Sequence, residues 1–456
     1  MGVCRAAIRS FTAFALVAAC GDGAETTIDA AAEADAPPPG ADADAPAVDA
    51  APPAPVTITV KRAGVPVSNL LVVFSDPAGA LVSSSTTDAA GIVSAMVPVG
   101  GMVTVADVAI SGRTPIYTIA GVQPGEALEA ALEPIVTTTD PVTATIELTP
   151  FTGAAGHTLH GGCIGYGLGP NATSTSFTFS SPCLDAEREY SVLALAQDAA
   201  GTVLAWSQIA DAAASSATST LPAWNTNVAT ATMQVTGLGS PSWLTTTATV
   251  LLRGTTRGWW YRETAASEGS AETSLIVPAG AGDAVVFLQQ LTLPRTGGLD
   301  RREWYWAVVA PSAVSTHTWA LDLAADPMPY ASDVVVDVEA TAGPTLSWTV
   351  VGTRAGVDAL AGEVTTDEAS WRLVVPPDWS GPIVLPALPA PLDALRPSTT
   401  DAAHGSVEVL DALDVATPSA FRTHGVQWLR LVSHHSTNVS DPPLGRLRSG
   451  LAGAKL

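Results

Sequence analysis

Alternation of polar and apolar residues, interrupted by glycine, proline and aspartate, constrains the fold of this sequence more than any other feature. Residues 56–60 read Val-Thr-Ile-Thr-Val, and further strand-like runs occur at 190–196, 284–288 and 371–375. A period of two is typical of a strand with one buried face. The 39 glycines and 35 prolines provide turns between such strands. The sequence therefore predicts an all-β protein.

A weak internal repeat predicts several modules. Alternating segments at 145–149, 232–236 and 337–341 each open a strand-rich block and precede a turn that contains glycine. Their spacing, on the order of 100 residues, is the size of a small β-sandwich. We therefore expect tandem immunoglobulin-like or transthyretin-like sandwich modules, with a tail at the end and one short helix at 126–132. The expected modules are 56–134, 135–225, 226–330 and 331–440, and the expected tail is 441–456.

Residues 20–55 are expected to form a disordered tether. The 35 residues from 21 to 55 include 13 alanines, 7 prolines and 8 acidic residues, with no aromatic and no basic residue. Such a segment buries too little apolar surface to offset the entropy of ordering. Charge repulsion and proline favour an extended chain.

The first 19 residues have the pattern of an export signal. Arg5 and Arg9 accompany an uncharged apolar run, and small residues stand immediately before Cys20. The run is shorter than the roughly 20 residues that span a bilayer as a helix. Residues 16–20, Leu-Val-Ala-Ala-Cys, resemble the lipobox of bacterial lipoproteins. The resemblance implies that Cys20 is lipidated, and Gly21, in place of aspartate, favours the outer membrane or the cell surface.

Residues 55–134 contain a pattern of turn and strand-end positions formed by Gly64, Pro66, Thr87, Asp88, Gly91, Pro98 and Gly101. This pattern resembles the carboxypeptidase regulatory-like domain. This family is a transthyretin-like β-sandwich of bacterial surface proteins, and it implies an accessory module without catalytic residues. The chain departs from the family pattern at Asn69, where glycine is usual, and at Val67. In the turn of this pattern we expect Asp88 to cap the backbone and Gly91 to adopt a positive φ.

Two cysteines remain once Cys20 is lipidated and Cys4 leaves with the signal. Because an exported chain meets an oxidising compartment, a disulfide between Cys163 and Cys183 is the expected state. The alternative is a metal site that adds His157 and His160 to Cys163. Their spacing does not follow a zinc pattern, so we expect no metal and no cofactor.

Two aromatic clusters are the candidate ligand-binding residues. Trp304 and Trp306 share one face of a strand, because alternate residues point the same way. An open aromatic face would stack on sugar rings, whereas the alternative is that these side chains belong to a sandwich core. The full candidate set is Trp259, Trp260, Tyr261, Trp304 and Trp306.

The formal net charge of −23 argues against nucleic acid as a partner, because nucleic-acid binding requires basic patches. No catalytic constellation is evident, so the expected function is non-enzymatic. We expect a lipid-anchored protein of the bacterial cell envelope, structural or adhesive, that binds an envelope protein or a glycan. One alternative is a surface hydrolase that uses the C-terminal aspartates with His404, His424, His434 and His435. The other is a passive scaffold for another envelope subunit.

Overall fold

The structure, a computed structural model, contains 29 β-strands and one short 3-10 helix (Leu392–Leu395) within its described residues. The predicted all-β class is confirmed. The structure describes residues 54–62, 64–108, 113–132, 141–161, 164–179, 184, 188–213, 217–236, 245–253, 260–267, 272–282, 284–293, 301–309, 318–322, 327–390, 392–413, 421–422 and 445–452. The predicted signal and tether, including Cys20, lie outside these ranges.

The first group of strands, module I, forms two facing sheets. In one sheet, β1 pairs antiparallel with β2 and β5 and parallel with β8, and the other sheet has the order β4-β3-β6-β7. The strands are β1 (Val56–Arg62), β2 (Val65–Pro66), β3 (Leu71–Ser75), β4 (Leu81–Thr86), β5 (Ile92–Ala95), β6 (Gly101–Ala106), β7 (Thr114–Val122) and β8 (Ala127–Leu132).

Module II repeats this arrangement. Its first strand β9 pairs antiparallel with β12 and parallel with β15, and its second sheet has the order β11-β10-β13-β14. The strands are β9 (Val142–Glu147), β10 (Gly156–Gly161), β11 (Ile164–Leu168), β12 (Ser174–Phe179), β13 (Glu189–Gln197), β14 (Val203–Ala213) and β15 (Thr218–Thr220).

Module III has the same topology again. Strand β16 pairs antiparallel with β19 and parallel with β22, and the second sheet runs β18-β17-β20-β21. The strands are β16 (Val228–Thr236), β17 (Thr245–Arg253), β18 (Trp260–Ser267), β19 (Glu272–Pro278), β20 (Ala284–Leu293), β21 (Arg301–Val309) and β22 (Thr318–Asp322).

Module IV preserves the four-stranded order, as β26-β25-β28-β29, and a smaller set β27-β24-β23 lies against it. We expected a tail at 441–456, but Gly445–Ala452 forms β29, which pairs with β28 and with β21. The strands are β23 (Tyr330–Asp337), β24 (Thr345–Val351), β25 (Ala359–Thr365), β26 (Ala369–Val375), β27 (Ile383–Val384), β28 (His404–Asp411) and β29 (Gly445–Ala452).

The four-stranded sheets of modules III, IV and I join edge to edge into one continuous sheet. Strand β21 of module III pairs antiparallel with β29 of module IV, and β26 of module IV pairs parallel with β7 of module I. Modules III, IV and I are consequently not structurally independent domains. The two joints between sheets are the β21/β29 joint and the β26/β7 joint.

Period-two alternation explains the core of module I. Val56, Ile58 and Val60 are fully buried, and they pack against Val72 and Phe74 of the facing sheet. The other face of that facing sheet is apolar as well, and it belongs to the core of module IV. Residues on both faces of β3, β6 and β7 are therefore buried, which explains their nearly continuous apolar sequence.

The turn chemistry predicted for module I is confirmed. The carboxylate of Asp88 accepts hydrogen bonds from the N–H groups of Ala90 and Ile92, both at 2.9 Å. Gly91 has a φ of +72°, and a Cβ there would lie 2.5 Å from a carbonyl oxygen. Asn69 adopts a φ of +60°. Asparagine tolerates this left-handed conformation better than most residues, which suits it to this position.

The predicted helix at 126–132 is wrong. Residues 127–132 form β8, in which Leu128, Ala130 and Leu132 face the core while the intervening residues are more exposed. Alanine, leucine and glutamate favour helix locally, but parallel pairing with β1 overrides that preference. Among the residues that the structure describes, no helix is long and apolar enough to cross a membrane.

Candidate functional site

Each joint of the continuous sheet carries a row of three polar side chains directly opposite one another on neighbouring strands. In each row an acid and an arginine come from module IV, and a tyrosine comes from the module across the joint. Residues that pair directly across a sheet point to the same face. We call these the acid–Arg–Tyr rows and regard them as the candidate functional site.

The first row crosses the β26/β7 joint. Arg372 lies opposite Glu363 on one side and Tyr117 on the other. Its Nε is 3.5 Å from Glu363 Oε1, and its Nη1 donates to the Tyr117 hydroxyl at 3.3 Å. The guanidinium carbon lies 5.7 Å from the centre of the tyrosine ring, within cation–π range. Ser370 donates a further hydrogen bond to Glu363 at 2.8 Å.

The second row crosses the β21/β29 joint with the same order of residue types. Arg448 lies opposite Asp411 and Tyr305, with Nη1 3.6 Å from Asp411 Oδ2 and its guanidinium carbon 5.6 Å from the tyrosine ring centre. The Tyr305 hydroxyl donates to Glu303 Oε2 at 2.5 Å. Glu303 is fully buried, and this short bond to a carboxylate is of the stronger, charge-assisted kind.

The opposite face of the β26/β7 joint is held by a buried hydrogen-bond chain. Trp371 Nε1 donates to Thr118 Oγ1 at 2.8 Å, and Thr118 Oγ1 lies 2.9 Å from Thr104 Oγ1. Because an indole N–H can only donate, the Thr118 hydroxyl accepts from it and is free to donate its own proton to Thr104. The joint is thus bonded through side chains on both faces.

A buried carboxyl lies next to the first row. Glu408 of β28 is 6% exposed, and among the described residues its Oε2 has no hydrogen-bond partner. The pKa of Glu408 is raised to about 8, chiefly by burial and to a smaller extent by the nearby Glu363 carboxylate, while the hydrogen bond with the Ser449 hydroxyl opposes this rise. A perturbed acid of this kind also occurs in active sites. Here the groups that influence Glu408 are Glu363 and Ser449, and both belong to strands of the continuous sheet.

The tyrosine hydroxyl makes a hydrogen bond within β21 in the second row and across the β26/β7 joint in the first, and removing each hydroxyl compares the two bonds. We expect Tyr305→Phe to lower the free energy of unfolding by about 1.5–3 kcal/mol, because it takes a charge-assisted hydrogen bond from the buried Glu303. Tyr117→Phe is expected to cost about 0.5–1.5 kcal/mol, because its bond to Arg372 is longer. Urea denaturation of both variants measures the difference, and an equal or reversed order would contradict the assigned roles.

The structure contradicts the sugar-stacking hypothesis for Trp304 and Trp306. Each is 2% exposed, and their rings lie 6.4 Å apart in a stacked arrangement on β21. Both therefore belong to the core, which was the alternative explanation, and no ligand can reach their faces in this fold. Trp259 and the side chains of Trp260 and Tyr261 lie outside the described residues, so their role stays a prediction.

The two histidines of the alternative metal site are not brought together on one face. His157 and His160 lie three positions apart on β10 and therefore point to opposite faces of the strand. The His157 ring is held within module II, since Nε2 accepts from the Phe151 N–H at 3.1 Å and Nδ1 lies 3.3 Å from the Gly169 carbonyl. Burial lowers the pKa of His160 to about 4. In the part of the chain that the structure describes, no cluster of three potential metal ligands occurs.

The remaining predicted sites are only partly visible. His404 is exposed at the start of β28, whereas His424, His434 and His435 lie outside the described residues. Cys163 and Cys183 also lie outside them, so the disulfide stays a prediction. Sequence reasoning missed the acid–Arg–Tyr rows because their members are far apart in the chain, and strand alternation alone does not say which strands become neighbours.

No protein-family model matches this sequence, and no curated protein matches it. Several solved structures resemble it weakly. The Bacillus anthracis TIE protein matches with 8% identity and a TM-score of 0.16 over 59% of this chain and 49% of its own. A putative cell adhesion protein from Bacteroides eggerthii has 11% identity and a TM-score of 0.16, covering 52% and 99%. The shaft pilin SpaA from Lactobacillus rhamnosus GG has 8% identity and a TM-score of 0.14, covering 59% and 96%. Scores this low carry no argument about function.

Proposed function

We propose that the chain is a lipid-anchored, non-enzymatic protein of the bacterial cell envelope, with a structural or adhesive role toward other envelope proteins. The observation that best supports this is the continuous sheet joined by the two acid–Arg–Tyr rows. In each row a buried arginine, whose charge is costly to place away from water, contacts the tyrosine of the neighbouring module. Contacts of this kind between modules are suited to a rigid structural protein.

The proposal favours a protein partner over a glycan. Trp304 and Trp306 were the principal reason to expect sugar binding, and they are buried. We further propose that module I is a carboxypeptidase regulatory-like domain, supported by the Asp88–Gly91 turn and by the positive φ of Asn69. Of the four histidines of the hydrolase alternative, only His404 lies among the described residues, and it is exposed at the start of β28.

Lipid attachment is tested by metabolic labelling with an alkyne analogue of palmitate in a bacterial host. We expect the chain to incorporate the label and to sediment with membranes, because two or more acyl chains give stable anchoring. Cys20→Ser should lose the label and move to the soluble fraction. Cys4→Ser is the matched control, since it alters a cysteine of the same segment and should change neither result. Labelling of Cys20→Ser, or membrane retention without label, would contradict the anchor.

A further inference from the structure

Strand β4 is an open edge of the continuous sheet. Among the described strands it pairs with β3 alone. Five of its six residues, Leu-Val-Ser-Ser-Ser-Thr, are exposed, including Leu81 at 45% and Val82 at 44%. Natural sheet edges are commonly protected by lysine, proline or inward-facing charge. β4 contains none of these, although the register shifts at Val82.

The register identifies which backbone groups of β4 face outward. The N–H of Thr87 donates to the Leu70 carbonyl at 3.0 Å, and the Thr87 carbonyl accepts from the Asn69 N–H at 2.9 Å, so both main-chain groups of Thr87 face the chain of β3. Antiparallel pairs alternate between bonded and non-bonded. The pairs of Leu71 with Thr86 and of Val73 with Ser84 are therefore non-bonded. The N–H and C=O groups of Ser84 and Thr86 point to the open side, available to another strand.

The chain segment that contains β4 indicates the charge of a partner. Residues 63–112 contain no lysine or arginine and three acidic residues, Asp76, Asp88 and Asp107. Asp107 pairs with Arg62 across module I. Asp76 and Asp88 stand in the turns at the two ends of β4, where one carboxylate oxygen of each accepts backbone hydrogen bonds. The edge is thus an uncharged strand between two negative ends.

A second copy of the chain fits this edge poorly. Antiparallel pairing of β4 with itself would bring Asp76 of one copy toward Asp88 of the other, and both copies carry a net charge of −23. Like charges brought together at an interface oppose association. An extended segment with aliphatic and hydroxyl side chains in its centre and basic residues at its ends satisfies the strand and the two carboxylates together.

We propose that β4 binds such a basic-flanked extended peptide segment of a partner protein by adding it as a new edge strand. Main-chain hydrogen bonds from Ser84 and Thr86 hold the segment, Leu81 and Val82 contact its aliphatic side chains, and Asp76 and Asp88 attract its basic ends. Strand addition is a general mode of peptide recognition. This inference rests on the proposed adhesive role and names its partner class.

The test uses the purified full chain and a synthetic peptide of alternating threonine and valine flanked by lysines. Hydrogen exchange should show new protection at the amides of Ser84 and Thr86 when the peptide is added at about 1 mM, a concentration suited to weak binding. Ser84→Pro removes an outward N–H without removing a bond to β3, and it should weaken binding about tenfold. Ser84→Ala, the matched control, keeps the N–H and should bind nearly as well as the native chain.

The charge requirement is tested separately. Asp88→Asn keeps an oxygen that can accept the turn hydrogen bonds, removes the negative charge, and should weaken binding of the lysine-flanked peptide most at low salt. A peptide with glutamates in place of the lysines should not bind. The proposal is overturned if the peptide gives no protection, if Ser84→Pro binds as well as Ser84→Ala, or if the protected amides arise from dimerisation in sedimentation experiments. Failure here leaves the labelling result at Cys20 unaffected, so the two proposals can fail separately.

Discussion

Trp371→Ala is expected to lower the free energy of unfolding by about 3–5 kcal/mol, the cost of emptying a large buried site. Trp371 is 1% exposed and lies within the core that modules I and IV share. The variant also removes the hydrogen bond that crosses the β26/β7 joint to Thr118. We therefore expect both modules to lose stability, although the substitution is in module IV alone. Denaturation in urea measures the first effect, and hydrogen exchange along β7 measures the second.

Two controls separate packing from the bond across the joint. Trp371→Phe keeps most of the apolar volume and should cost less than Trp371→Ala. Thr118→Val changes module I and leaves the indole N–H without its acceptor, which should cost about 1–3 kcal/mol. If exchange protection along β7 were unchanged in Trp371→Ala, modules I and IV would unfold independently. The joint would then be a contact of little energetic consequence.

Local chemistry made much of the fold predictable. The alternation at 56–60 specified a half-buried strand, and Asp88 with Gly91 specified a turn, because both signals depend on residues close together in the chain. Two segments of the weak repeat, at 145–149 and 232–236, belong to the first strands of modules II and III, whereas the third, at 337–341, lies at the end of β23 and in the turn that follows it. The helix expected at 126–132 failed for the converse reason. Its local preference was overridden by a partner strand some 70 residues away, which no local pattern reveals.

The candidate site was not predictable in the same way. Arg372 and Tyr117 become neighbours because β26 of module IV pairs with β7 of module I, although the two strands are far apart in the sequence. The sequence of 445–452 gives no sign of a strand because its pairing partners, β21 and β28, lie in earlier blocks. Aromatic side chains beside arginines suggested an open binding face at Trp304. Sequence alone does not distinguish an exposed aromatic face from one that is buried in a core.

Glu408→Gln is expected to stabilise the protein at alkaline pH and to change little at pH 5 and below. The pKa of Glu408 is raised from 4.5 to about 8 in the folded protein, chiefly by burial. The folded state then binds more protons than the unfolded state between these values, so stability falls as pH rises from about 4.5 through 8. Glutamine cannot ionise and escapes this loss. We expect a gain of up to about 5 kcal/mol at pH 9.

Comparing the native protein with the Glu408→Gln variant separates the effect of the Glu408 carboxyl from that of other titrating groups. The lowered pKa of His160 causes a loss of stability as pH falls from about 6.5 toward 4, but the native chain and Glu408→Gln share that group, so it cancels in their difference. The difference in unfolding free energy, measured in urea from pH 5 to 9, should grow with pH. A second variant, Glu363→Gln, removes the neighbouring charge that contributes to the raised pKa of Glu408. In that background, the rise of the free-energy difference should have its midpoint at a lower pH. A difference that is constant with pH would mean that Glu408 ionises normally in the folded protein, and its buried place beside the acid–Arg–Tyr row would then have no electrostatic cost.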